Sequence, residues 1–189
     1  MHTISFATSN KEKLLIARTV CEQYGITVKQ EFIDIDEIQG EDPEIIIRDK
    51  VMRAYNSFGS PVVVSDDSWD IPALNGFPGA YMKSINTWFT ADDFLRLMSD
   101  IENRTIILHQ YLALTDGNKI EIYKNDLPGK IITEVRGNNI KSPNMSVTIL
   151  DSDNGKTIAE VFEQGEVAVA DRYKNRRDVW NELVEKHSI

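Results

Sequence analysis

The run Val62-Val63-Val64, opening after Pro61 and closing on Ser65-Asp66-Asp67-Ser68, constrains this chain more than any other stretch. A strand with no polar residue on either face must be covered on both. The arrangement that does this is α/β, with helices packed on a sheet. The flanking sequence supplies such helices. Thr3 to Ala7 reads as a strand, and Thr8, Ser9 and Asn10 are all good helix-capping types. Leu14, Leu15, Ala17, Arg18 and Cys21 then predict a helix over Lys13 to Tyr24, which Gly25 stops. Ile26 to Ile33 predicts a second strand, and Pro43 starts a helix reaching about Phe58.

Further along, Ser65 to Ser68 reads as a polar turn, and Asn75 to Ala80 as a Gly/Pro loop. Thr90 caps a helix ending at Ser99, with Asp92 and Asp93 in its first turn. Thr115-Asp116-Gly117-Asn118 joins Arg104–Leu114 to Lys119–Tyr123 as a hairpin. Ile131 to Arg136 adds a strand. Asn144–Leu150 and Thr157–Val161 form a second hairpin about Asp151–Gly155, and Lys174–Glu185 a closing helix. The expectation is one domain over residues 1–189: a mixed sheet with helices, plus an antiparallel lobe.

The formal charge of −9 argues against holding nucleic acid by backbone electrostatics. A phosphate ligand would need a locally basic site or a recruited cation. Cys21 is the only cysteine, so neither an intrachain disulfide nor a thiolate metal cluster is available. Met1 to Phe6 has no basic n-region, so the start does not read as a signal peptide. No run approaches roughly 18 apolar residues, so no membrane partner is expected. A cytoplasmic location follows as an expectation.

Four stretches carry possible chemistry. Thr8-Ser9-Asn10 with Lys13 places hydroxyl, amide and ammonium groups at a strand-to-helix turn, where helix N–H groups and the dipole favour phosphate. An ordinary cap with a solvated lysine suits the same residues. Asp66, after a buried strand, sits where α/β proteins place ligands and can hold Mg²⁺ or activate water. Plain turn chemistry explains two aspartates equally well. Glu37-Ile38-Gln39-Gly40 precedes a helix that carries Lys50 back toward the valine strand. Gly76-Phe77-Pro78-Gly79-Ala80-Tyr81, with Lys83 after it, allows close backbone approach to a ligand. His2, His109 and His187 lack metal spacing and receive no role. His109 reads as a packed or edge strand residue. Trp69 reads as core or interface, Arg176 and Arg177 as solvated.

In this order, the segments resemble the Ham1/inosine triphosphate pyrophosphatase family. The T-x-N-x-x-K opening is matched by Thr8, Asn10 and Lys13. The glutamate before the first long helix is matched by Glu37, and that helix's lysine by Lys50. The signature A-L-x-G-x-P-G is matched by Ala73-Leu74-Asn75-Gly76-Phe77-Pro78-Gly79. The resemblance implies an elongated mixed-sheet α/β fold with two lobes around a central cleft. It implies hydrolysis of a nucleoside triphosphate to monophosphate and pyrophosphate, with Mg²⁺ or Mn²⁺, by a homodimer. Thr8, Asn10, Lys13 and Lys50 would face the triphosphate. Lys83 and Arg172 join them as substrate-binding candidates. Glu37 and Asp66 would hold metal, and Asp66 would activate the water.

The departures fall mostly in the other half. Ser65 stands where the family has the first acid of a pair. Asn144 to Leu150 holds no aromatic where the family has a base-stacking F-G-[YW]-D-P. Glu166 aligns with a family lysine, and Ala170-Asp171-Arg172 with S-H-R, which reads the purine 6-oxo edge. An acceptor Asp171 in place of a donor histidine implies preference for a base with an exocyclic amine, or for no particular base. Two readings follow: an active pyrophosphatase of altered base preference, or a catalytically weak nucleotide-binding regulator.

Overall fold

The computed structural model describes residues 3–33, 35, 37–138 and 142–187. His2 lies outside them. Two compact units emerge. The first comprises residues 1–67, 110–125 and 173–189, and the second residues 68–109 and 126–172.

In the first unit, β1 (Thr3–Ala7) leads into α1 (Lys11–Glu22), and β2 (Thr27–Glu31) into α2 (Pro43–Phe58). α7 spans Val179–His187, and three strands run through both units: β3 (Val62–Ile71), β5 (Thr105–Thr115) and β6 (Ile120–Ile131). β1 pairs in parallel with both β2 and β3. The sheet runs β2-β1-β3-β5-β6-β7, with β4 (Phe77–Gly79) hung on β3 and β7 covering Thr148–Leu150. The valine run behaves as its composition demands. Val63 enters a core with Leu14, Val20, Trp180 and Leu183, while Val62 and Val64 enter another with Ile47, Val51 and Ala54. α1 and α7 therefore cover one face and α2 the other. Phe6 meets Trp180 edge-to-face at 4.9 Å, within the range aromatic pairs prefer.

Asn10 caps α1, so the helix begins at Lys11 and ends by Glu22, two residues earlier at each end than expected. α2 runs over the predicted span because both ends are signalled. Asp42 caps it ahead of Pro43, and Gly59 at φ 74° closes it.

In the second unit, α3 (Met82–Trp88) and α4 (Ala91–Leu97) pack Met82, Ile85 and Phe94 against Trp69, Ile71 and Leu127. Thr90 caps α4 in a reciprocal box with Asp93. Trp69 is core.

Six expectations need correction. Ser65 to Ser68 is not a turn: β3 continues to Ile71, since Trp69 and Ile71 alternate into the core and outweigh the turn propensity of the aspartates. Asn75 to Ala80 is not all loop, because Phe77–Gly79 pairs antiparallel with Trp69–Ile71. The strand expected over Ile131–Arg136 stops at Ile131, and β6 runs unbroken from Ile120 to Ile131, past its expected end at Tyr123. It passes through Gly129, where an added Cβ would sit 2.4 Å from the carbonyl oxygen of Ile149. Thr157–Val161 is not a strand: Thr157 and Glu160 form a capping box that starts α5 (Ile158–Glu163). Finally, the closing helix is two: α6 (Glu166–Asn175) and α7, separated where Asp178 and Asn181 bond each other's neighbourhood. Arg176 is also not solvated. It is 6% exposed, lies 3.7 Å from Asp178 and stacks on Tyr173.

Candidate functional site

The first unit brings together most of the predicted residues. At the end of β1, the Thr8 hydroxyl accepts from Asn10 N–H at 3.1 Å, and Asn10 Oδ1 accepts from Glu12 N–H at 2.9 Å and Lys13 N–H at 3.2 Å. The Thr8 main chain is pinned to β2 through Glu31 and Gln30. The amides of Glu12 and Lys13 are thus satisfied by the cap. What the turn offers a ligand is side-chain chemistry: the Asn10 amide nitrogen, outside those bonds, and Lys13, the third residue of the helix.

Lys13 reaches β3, where its Nζ lies 3.0 Å from Asp67 Oδ2. Burial alone lowers the pKa of this lysine, but the carboxylates of Asp67, Asp66 and Glu37 outweigh it and hold the pKa above the usual lysine value. The ammonium is therefore charged and sits in the field of three acids. Asp66 accepts the Asp67 N–H at 3.0 Å through Oδ1, which fixes one carboxylate oxygen.

Lys50, from α2, donates to the Ser65 carbonyl at 3.0 Å and pairs with Glu37 at 2.5 Å. One side chain from the helix thereby ties the β2–α2 connection to the strand. Its side chain is only 13% exposed. Ser65 is buried, and its hydroxyl has no hydrogen-bond partner among the described residues.

Lys83 and Arg172 lie in the second unit. Lys83 stands exposed on α3. Arg172, at the end of α6, makes a bidentate pair with Asp153 at 2.6 and 2.5 Å, with side chains 8% and 0% exposed. Asp171 beside it is exposed. The Asn144–Leu150 segment is a single 3-10 turn followed by β7, with Asn144, Ser146 and Thr148 buried. His109 is a strand residue in that unit, 2.6 Å from Asp126 and 3.8 Å from Asp70.

Sequence reasoning missed two contacts. Asp67 holds Lys13, and the main-chain carbonyl of Ser65 holds Lys50. The first could have been found by reading Ser65 to Ile71 as an alternating strand; the second has no sequence signal.

The donor set suits a hard divalent cation in one specific way. Among the described residues no three His, Cys, Asp or Glu side chains converge to cage a metal. Mg²⁺ needs no such cage, because it commonly takes one or two carboxylates and completes its shell with substrate phosphates and water. Glu37 and Asp66, in the same field as Lys13, fit that partial role.

A Ham1 family model matches residues 4–180. The chain belongs to the Ham1 family. It is 32% identical over 134 residues to a dITP/XTP pyrophosphatase of Korarchaeum cryptofilum, covering 70% of this chain and 71% of that protein. Over 176 residues it is 26% identical to the dITP/XTP pyrophosphatase of Hyperthermus butylicus, covering 93% and 92%. An inosine triphosphate pyrophosphatase of Aspergillus fumigatus is 29% identical over 173 residues, covering 90% and 89%. A HAM1 protein from Coxiella burnetii superposes with a TM-score of 0.75 at 22% identity, covering 100% and 99%. That likeness shows the fold, and the mixed-sheet α/β expectation stands. No helix among the described residues is long and apolar enough to cross a membrane.

Proposed function

We propose that this Ham1-family chain is a divalent-metal-dependent pyrophosphatase of nucleoside triphosphates, altered in base preference. The observation that carries the reading is the meeting of Lys13, Lys50, Glu37, Asp66 and Asp67 at the strand-to-helix turn of the first unit. The relatives named above support it. Phosphoryl chemistry asks the protein mainly for positioning and charge neutralisation. Lys13 and Lys50 supply ammonium groups for phosphate oxygens, and the donor ends of Thr8 and Asn10 fix the chain of phosphates against the turn.

Asp66 takes a proton from a water whose oxygen attacks the α-phosphorus. The bond from that phosphorus to the bridging oxygen breaks, and its electron pair leaves with pyrophosphate. The anchored Oδ1 of Asp66 holds the carboxylate still while the other oxygen works. Glu37 and Asp66 are the residues to hold Mg²⁺ or Mn²⁺, which when bound offsets phosphate charge and acidifies water. Lys83 and Arg172 are the proposed contacts for the rest of the nucleotide. Arg172, 8% exposed and held by Asp153, would serve there without giving up that pair. The enzyme is proposed to act as a cytoplasmic homodimer.

The rebuilt C-terminal half supports a changed base choice: Asp171 offers an acceptor, and the Asn144–Leu150 segment offers no ring to stack on. A second reading, a catalytically weak nucleotide-binding regulator, is favoured by Ser65 in place of an acid.

Pyrophosphate release from a panel of triphosphates, with Mg²⁺ and with Mn²⁺, tests both. Release that falls about 10³-fold in Asp66→Ala supports the enzyme and names its base. Binding without release selects the regulator. Strong preference for ITP and XTP over all other nucleotides overturns the altered base choice.

A further inference from the structure

Both lysines of the site are already satisfied by protein carboxylates. Lys13 pairs with Asp67, and Lys50 with Glu37. A polyphosphate that takes either lysine must therefore displace an acid, and the displaced acid is left beside incoming phosphate charge. Like charges at such range are costly unless a cation arrives to share them. Asp67 is the decisive member. It is the largest attractive charge on Lys13, and the contact also carries a hydrogen bond.

The pair is not a fold-holding one. Its side chains are 23% and 37% exposed, and Lys13 makes a single contact rather than a bidentate clamp. Asp67 comes from an alternating stretch of β3, where Trp69 and Ile71 fix the strand. Exchanging its carboxylate for a neutral group removes the competitor without removing an anchor.

We propose that Asp67 is a positioning residue that competes with polyphosphate for Lys13, so that polyphosphate and a divalent cation bind together and neither binds well alone. The proposal rests on the pyrophosphatase reading above. It makes Asp67 a gate on the phosphate site: the lysine is charged, in place and guarded. Release of the lysine and neutralisation of the acid are one event, and a free anion of the wrong kind finds no bare ammonium.

The test is calorimetric titration of the full chain with tripolyphosphate, in EDTA and again with Mg²⁺, for wild type and Asp67→Asn. The expected result is that Asp67→Asn binds tripolyphosphate about fivefold tighter in EDTA, the worth of a partly exposed ion pair. The gain from adding Mg²⁺ shrinks by the same factor. In Lys13→Met/Asp67→Asn the gain in EDTA vanishes relative to Lys13→Met. Asp67→Ser, checked by circular dichroism, replaces the asparagine variant if that one does not fold. Equal or weaker binding by Asp67→Asn in EDTA overturns the proposal, as does a gain that persists without Lys13. If wild type still releases pyrophosphate from a triphosphate in either case, only this proposal falls. If wild type neither binds tripolyphosphate with Mg²⁺ nor releases pyrophosphate from any nucleotide, the pyrophosphatase reading falls with it.

Discussion

Lys13 in the first unit and Arg172 in the second each face an aspartate, and the two pairs do opposite jobs. Arg172 and Asp153 meet through two parallel contacts with almost no solvent access. Lys13 and Asp67 meet through one, with side chains 23% and 37% exposed. A guanidinium fork fits a carboxylate rigidly, whereas an ammonium is a point charge on a flexible stem. Breaking the first leaves a buried charge; breaking the second leaves a hydrated one. The difference separates an ion pair that belongs to the fold from one that can be exchanged for a ligand.

The sharpest way to break this comparison is at Asp153. Asp153→Ala should cost about 3–5 kcal/mol in urea denaturation, because it strands Arg172 in a dry site. A cost below about 1 kcal/mol would put the Arg172 pair in the exchangeable class. Next in size, Lys13→Ala should lower kcat/KM for the preferred triphosphate about 10- to 100-fold, or about 1.4–2.8 kcal/mol. Its unfolding free energy should change by less than about 1 kcal/mol. A larger stability loss with unchanged kinetics would return Lys13 to the structural class.

The smallest effect concerns the α5 capping box. Glu160 has its pKa lowered to about 2, first by the Arg136 guanidinium and then by the Thr157 N–H. A carboxylate depressed in the folded state contributes stability above its ordinary pKa and loses it as pH falls through the folded one. The melting midpoint of wild type should therefore drop as pH falls from 4.5 to about 2. Glu160→Gln should be less stable by about 1 kcal/mol at neutral pH and show less of that drop. Superimposable profiles for the two proteins would show that the box adds nothing measurable.

How far the sequence could be read followed the same division. Elements with chemistry at both ends were legible: α2 has Asp42-Pro43 before it and Gly59 after it, and the β5–β6 turn has Asp116-Gly117. Strand–turn ambiguity hid the second half of β3, because Asp66-Asp67 favours a turn locally while Trp69 and Ile71 need a core that lies far off in sequence. β6 was ended early, at Tyr123, for a similar reason. Pro128-Gly129 punctuates the sequence, yet glycine is there because the backbone at Ile149 leaves no room for a Cβ. The Thr157-x-x-Glu160 box was visible, but a β-branched run drew the assignment to a strand. In the site, residues at a turn or on a signalled helix were readable one at a time. Their partners were not, since pairing across β3 depends on tertiary register.

The grip of Lys50 on residue 65 falls on the main chain, not on the side chain. Every amino acid presents the same carbonyl, so this tether is indifferent to spelling. Position 65 can drift from an acid to serine, limited only by the small space around it, and the helix still finds the strand. The residue beside the proposed base can thus change its side chain while the strand keeps its tie to the helix.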